Sequence, residues 1–215
     1  MRCMTSRLSL LLLIATLTTS GCVQQAPFLP VTDAIGQVEI ADGFPSVTRN
    51  SRPYILDEQS RIYAGDLLRT DERSTLTIQL ASGSVISLGP ETQLLFNVVE
   101  RRGNEFRSSL SLTAGSMRVS ETTSAEHTLM VRTRIATAVS SSGAFWLGYD
   151  RDNPTLIVIA LGDRTVSVSN TDGKVELNRQ NDTTSISAGA APRTTTSWSE
   201  DRASRTINYY QQVQP

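Results

Sequence analysis

Between Ala64 and Phe96 the chain alternates apolar and polar residues with a period of two, and this pattern limits the folds open to it. Leu76, Ile78 and Leu80 are separated by Thr77 and Gln79, which suits a half-buried strand and no helix. Ser82-Gly83 supplies a reversal, Ile86 and Leu88 resume the alternation, and Gly89-Pro90 breaks it. The stretch predicts a Gly-Asp turn at Gly65-Asp66 followed by a β-meander.

The same grammar extends along the chain. Gly36–Ile40, Leu129–Ile135, Val166–Val168 and Val175–Leu177 alternate, and Leu156–Leu161 is a continuous apolar run of the kind found in buried strands. Pro45–Pro53 reads as irregular, with Tyr54-Ile55-Leu56 as a brief edge piece. No segment from Ile35 to Arg193 carries a helical stripe. Beyond it, Ala203, Ile207 and Tyr210 fall at helical spacing after Ser197-x-x-Glu200, so 194–215 is either a short amphipathic helix or a polar, frayed terminus. The expectation is all-β: a single domain of short strands, β-solenoid-like or sandwich-like.

Only two cysteines occur, Cys3 and Cys22, both near the N-terminus, so no disulfide can staple the body of the chain. Arg2 and Arg7 precede an apolar run, Leu8–Leu17, which is shorter than the about 20 residues that cross a bilayer. Small residues then lead to Cys22. This is a secretory signal, and Thr19-Ser20-Gly21-Cys22 resembles the lipobox of bacterial lipoproteins. The resemblance implies cleavage before Cys22, a thioether-linked diacylglycerol on its sulfur and an acyl group on its new amino terminus. Each buried lipid methylene contributes about 0.8 kcal/mol, so several chains anchor firmly. Val23 follows the cysteine, so the Asp retention signal of the inner membrane is missing and the outer membrane is expected. Residues 1–21 are then the signal, 22–34 the lipidated N-terminus and a proline-stiffened tether, 35–193 the β domain and 194–215 a tail.

A net charge of −1 leaves no electrostatic footprint for nucleic acid. The lone histidine, His127, lies in the polar stretch Ser120–Thr128 and reads as an exposed loop residue. One histidine without a cysteine in the body cannot make a zinc site. Asp66 and Asp163 each follow a glycine, and their matching contexts favour turn capping over acid/base work. No nucleophile elbow, phosphate loop or dinucleotide fingerprint is present. Phe145 and Tyr149 are expected in the core, while Trp146 points the other way, either under a second layer or at an interface.

The block Ala64-Gly65-Asp66-Leu67-Leu68-Arg69-Thr70, then Leu76–Leu80, Gly83-Ser84-Val85 and Leu88, resembles the centre of FecR-like domains. Leu112–Gly115, Val131–Thr133 with Ala138-Val139, and Thr155–Ser169 follow in the family's order. Ser141–Phe145 departs from the Gly-Thr that the family places before its aromatic. Sigma-regulating members carry a cytoplasmic helical domain and a membrane-spanning helix before this domain. A lipoprotein signal stands there instead, so that cytoplasmic activity is not carried over. The resemblance implies a non-enzymatic binding, scaffold or signalling module without cofactors. It would be held to the membrane through Cys22, face the periplasm and meet an envelope protein partner. The alternatives are an envelope hydrolase or carbohydrate-acting protein, which needs converging carboxylates, and a structural subunit of a surface complex.

Overall fold

The computed structural model describes residues 26–121, 126–151 and 153–212. Cys22 and the whole signal segment lie outside the described residues. The chain begins with β1 (Leu29–Pro30), β2 (Gly36–Asp42), β3 (Ser46–Arg49), β4 (Arg52–Ile55), β5 (Arg61–Ile62) and β6 (Leu67–Arg69). β7 (Thr75–Leu80), β8 (Ser84–Leu88), β9 (Gln93–Arg102) and β10 (Glu105–Ala114) follow. Next come β11 (Ser116–Glu121), β12 (His127–Arg132), β13 (Thr137–Ser141), β14 (Phe145–Tyr149) and β15 (Thr155–Ala160). β16 (Val166–Asn170), β17 (Gly173–Leu177), β18 (Asp182–Ser187), β19 (Thr196–Ser197) and helix α1 (Glu200–Gln211) complete it.

These strands form two sheets that face each other, an all-β fold with one short C-terminal helix. Sheet 1 runs β17-β16-β13-β12-β10-β9-β6-β3-β4, with β1 also paired to β9, and sheet 2 runs β19-β18-β15-β14-β11-β8-β7-β2-β5. The alternation fills the space between them. Leu76, Ile78, Ile86, Leu88, Phe145, Leu147, Leu156 and Val158 point inward from sheet 2, against Leu68, Leu94, Phe96, Leu110, Leu112, Val131 and Val168 of sheet 1. At roughly 1.5–3 kcal/mol for each large aliphatic side chain removed from water, this interior holds the body together without a disulfide.

Periodicity marks the inward residues but not the sheet they belong to, and the predicted meander differs on that point. β7 and β8 pair with each other, whereas β6 and β9 pair in the opposite sheet. The chain repeatedly crosses from one sheet to the other. At Gly115 it leaves β10 for β11 with φ +77°, and a side chain there would run into Thr92. β12 then returns to sheet 1 beside β10 and parallel to it, while the other strand pairs are antiparallel.

Pro45–Pro53 is not irregular. β3 and β4 form a hairpin closed by Arg49↔Arg52, with Asn50 and Ser51 at φ 49° and 62°. Two successive left-handed residues match the twist of a two-residue hairpin, and Asn tolerates that conformation better than most.

Trp146 lies under a second layer. Its ring is buried on the outer face of sheet 2, beside Ile159 and beneath Ala203 and Ile207 of α1. The Leu156–Leu161 run is apolar on both sides because Leu156 and Val158 face the inter-sheet core while Ile159 faces the helix. Ser199, rather than Ser197, caps α1 by accepting from the Arg202 N–H, and Glu200 and Asp201 suit the positive end of its dipole. Ser197 belongs to β19 and donates to Asp182. Ile207→Asp should free α1 from this face, costing about 2 kcal/mol and shifting tryptophan emission to the red. Unchanged emission would contradict the buried placement of Trp146.

Candidate functional site

The two Gly-Asp turns, alike in sequence, differ in space. Asp163 is exposed, and Gly162 does not adopt a positive φ. Asp66 is fully buried where the chain passes from β5 in sheet 2 to β6 in sheet 1. Arg49 of β3 grips its carboxylate with Nε to Oδ1 at 2.7 Å and Nη2 to Oδ2 at 2.6 Å, and the Tyr63 N–H donates to it at 2.9 Å. Arg49 also donates to the Arg61 carbonyl and lies 4.4 Å over the Tyr63 ring. The hydrogen bonds to Asp66 raise the Arg49 guanidinium above its ordinary pKa. Asp66 thus caps a turn as expected, but its ion pair ties the β3–β4 hairpin to both sheets.

Among the described residues, the other strongly buried carboxylate, Asp182, is at the far lateral side, next to β19. It accepts from Ser197 and from the Asn178 and Arg179 N–H groups. Burial opposes its charge, but these donors outweigh it and hold the carboxyl below its ordinary range. Asp66 and Asp182 therefore do not converge on one groove. Among the described residues, no His, Cys, Asp and Glu group of three or more is arranged to hold a metal ion.

His127 is not an exposed loop residue. It opens β12, is 2% exposed, and links the sheets through hydroxyl groups. Nδ1 lies 3.1 Å from Ser82 Oγ and 2.9 Å from Ser84 Oγ on the β7–β8 side, and Nε2 lies 2.9 Å from Ser108 Oγ of β10. Phe106 meets the ring edge-on. Hydroxyls can donate or accept, so either neutral tautomer is satisfied. None of these partners carries charge, and burial lowers the imidazole pKa to about 4. The serines are themselves buried, which gives the cluster a structural role as a crosslink between sheets.

Among the described residues, two accessible features stand out. The first is the β3–β4 edge of sheet 1, where Tyr54 is 50% and Ile55 64% exposed, with Phe44 at 75% on the preceding loop. Leu56 N donates to Pro45 O at 2.8 Å, so the alternating ladder turns the backbone groups of Pro53 and Ile55 away from β3. Pro53 has no N–H, which leaves Ile55 as the outward donor. At the opposite edge, β17, the Glu176 carbonyl is already taken by Thr195 Oγ1, and Ala191 and Pro192 lie beside Gly173.

The second is a groove of about 590 Å³ at one end of the sandwich, lined by Glu91, Arg134, Tyr149, Asp150, Arg151 and Tyr210. Arg134 is committed to the Thr113 carbonyl and stacks on Tyr149, while Arg151 stacks on Tyr209 and Tyr210. Sequence reasoning singled out Tyr149 and Tyr210 of this group, from a strand pattern and a helical spacing, whereas Glu91, Arg134, Asp150 and Arg151 come from loops.

Residues 66–176 match the family described as FecR protein, which is more than half of the chain. The chain belongs to the FecR family. No curated protein matches it. Two crystal structures of a putative anti-sigma factor from Parabacteroides distasonis share the fold, with TM-scores of 0.52 and identities of 12% and 13%. The alignment spans 66% of this chain and 64% of theirs, so the chain covers under two thirds of the length of those proteins. In this FecR chain the family match begins at Asp66 itself, the buried carboxylate. Among the described residues, no helix is long and apolar enough to cross a membrane.

The His127 node makes stability depend on pH. Between about 4 and the ordinary value of 6.5 the unfolded chain binds a proton that the folded state refuses, so stability falls as pH drops through that window. The loss approaches about 3 kcal/mol. Urea unfolding at stepwise pH should show this slope in the wild type and not in His127→Gln. An identical slope in both would place the acid sensitivity elsewhere.

Proposed function

We propose that this FecR protein is a lipid-anchored component of a bacterial cell envelope. It is acylated at Cys22, held at the outer membrane facing the periplasm, and works as a non-enzymatic protein-recognition module in envelope signalling. Family membership supports the signalling assignment, and so does the likeness to proteins named as anti-sigma factors. The lipobox-like Thr19-Ser20-Gly21-Cys22 supports the anchor.

The observation that carries the recognition reading is the uncovered β4 edge. An edge strand presents backbone groups that can accept another strand, and natural proteins blunt such edges unless they are used. Here β17 has its Glu176 carbonyl taken by Thr195, whereas β4 turns the Ile55 N–H outward and keeps Tyr54, Ile55 and the nearby Phe44 open to solvent. Pro53 limits pairing to a short register around Ile55, which selects against indiscriminate aggregation. A partner strand would therefore gain few backbone bonds and depend on side-chain contact with Tyr54 and Ile55 for affinity.

The test is photocrosslinking in intact cells from position 54, with position 176 on the opposite edge of the sheet as control. Position 54 should capture a defined envelope protein that position 176 does not. Ile55→Pro, which removes the outward N–H as Pro53 already does, should abolish capture with little change in thermal stability. Cys22→Ala should lose the acyl mass and leave the membrane fraction. Equal capture from both edges, or capture indifferent to Ile55→Pro, would refute the edge reading. Membrane retention without acylation would refute the anchor.

A further inference from the structure

Near the start of the described residues, Phe28 lies across the outer face of sheet 1 between two cations. The guanidinium of Arg102 is 4.4 Å and that of Arg107 3.8 Å from the centre of its ring. β1 follows at once and pairs with β9, Leu29 opposite Arg101 and Pro30 opposite Glu100. The N-terminal segment is thereby fastened to the β9–β10 hairpin. This is the end of the sandwich that holds His127, because Phe106, which begins β10 beside Glu105, is in register with it.

Six Cα–Cα steps separate Cys22 from Phe28. Even fully extended they reach only about 20 Å, whatever path they take. A lipid on Cys22 therefore keeps the hairpin within that distance of the headgroups. The residues around the attachment suit such a surface. Leu29 is 63% and Val98 45% exposed, and Arg101 and Arg107 are exposed. Arginine stems lie along apolar surface while their planar heads bind phosphate. Arg101 is also oriented by its own turn, donating from Nε to the Gly103 carbonyl at 2.7 Å. The carboxylates nearby are Glu105, which is paired to Arg102 at 2.5 Å, half-buried Glu100, and Glu126 at the start of β12. The hairpin is thus close to electrically balanced, and its fit to a bilayer rests on interfacial chemistry and reach more than on net charge.

We propose that this hairpin end, with Phe28 and Arg107 on its outer face and Leu29 and Arg101 on the other side of the ladder, forms a membrane-seating surface that takes the phosphate headgroups of the bilayer into which Cys22 is anchored. This rests on the acylation proposed above. Seating at this end turns the opposite end outward, with the groove at Glu91 and Tyr149 and the exposed Phe44 and Ile55 directed into the aqueous compartment. Membrane contact and partner recognition are then assigned to opposite ends of one sandwich.

The experiment uses the full acylated chain in vesicles of phosphatidylcholine and phosphatidylglycerol, with acylation of Cys22 checked first by mass. A fluorophore is attached to Val98→Cys or, at the far turn, to Thr171→Cys, and a headgroup spin-labelled lipid serves as quencher. Quenching should be severalfold stronger at position 98. Arg101→Gln and Arg107→Gln should each lower the seated-to-unseated ratio by about fivefold without altering acylation or thermal unfolding. Equal quenching at 98 and 171 in acylated protein would overturn the seating alone, as would quenching at 98 that ignores the arginine variants. Loss of quenching on adding inorganic phosphate, with the vesicles still bound, would reassign the arginines to a soluble phosphate site. Absence of the acyl mass would refute the anchor and the seating with it.

Discussion

A carboxylate without access to water must be met on every side, and Asp66 imposes that requirement at the joint between the two sheets. Its partners come from β3, from the loop after β5 and, through Arg49, from the β5 backbone at Arg61. Removing one member of a buried pair leaves a charge uncompensated, at a cost of about 3–5 kcal/mol; one third of the Arg49 side chain is exposed, which favours the lower figure. The consequence for function is positional. The β3–β4 hairpin is an edge strand pair that packs little on its outer side, yet Arg49 fixes it against the body. Its exposed strand is therefore a rigid feature of the fold.

The same economy of polar contacts recurs at the other joints. His127 links the sheets at the β9–β10 turn end through three serine hydroxyls, and Asp182 and Thr195 make their bonds at the lateral side away from β4. α1 covers Trp146 and completes the outer face of sheet 2. One end is fastened to the N-terminal segment and one face lies under a helix, while the β4 edge and the groove beside Tyr149 are open. That distribution suits the tethered recognition module proposed above, and it arises from the arrangement of the sheets.

Much of this was legible in the sequence, and the parts that were not share a cause. Alternation at Leu76, Ile78 and Leu80 identified inward residues, and the opposed faces of Phe145 and Trp146 followed from the strand pleat. The family resemblance rested on the order of such blocks and is borne out. Local context misled wherever the deciding partner was remote. His127 sits among polar neighbours and looked exposed, but Ser82, Ser84 and Ser108 reach it from other strands. Asp66 and Asp163 looked equivalent until Arg49 separated them, and Arg49 lay in a stretch whose prolines disguised a hairpin. Asn50 before Ser51 was the available signal there, since Asn is among the residues that accept the left-handed turn. Cys22, the one site residue named from sequence, lies outside the described residues, and its acylation remains a proposal with its own test.

The central claim is that the β4 edge is open in the free protein. Amide hydrogen exchange reads it residue by residue under native conditions. The ladder predicts protected N–H groups at Tyr54 and Leu56, both directed into the hairpin, flanking a rapidly exchanging N–H at Ile55. Protection at Ile55 equal to that of its neighbours would mean that the edge is already paired or covered, and would contradict the account.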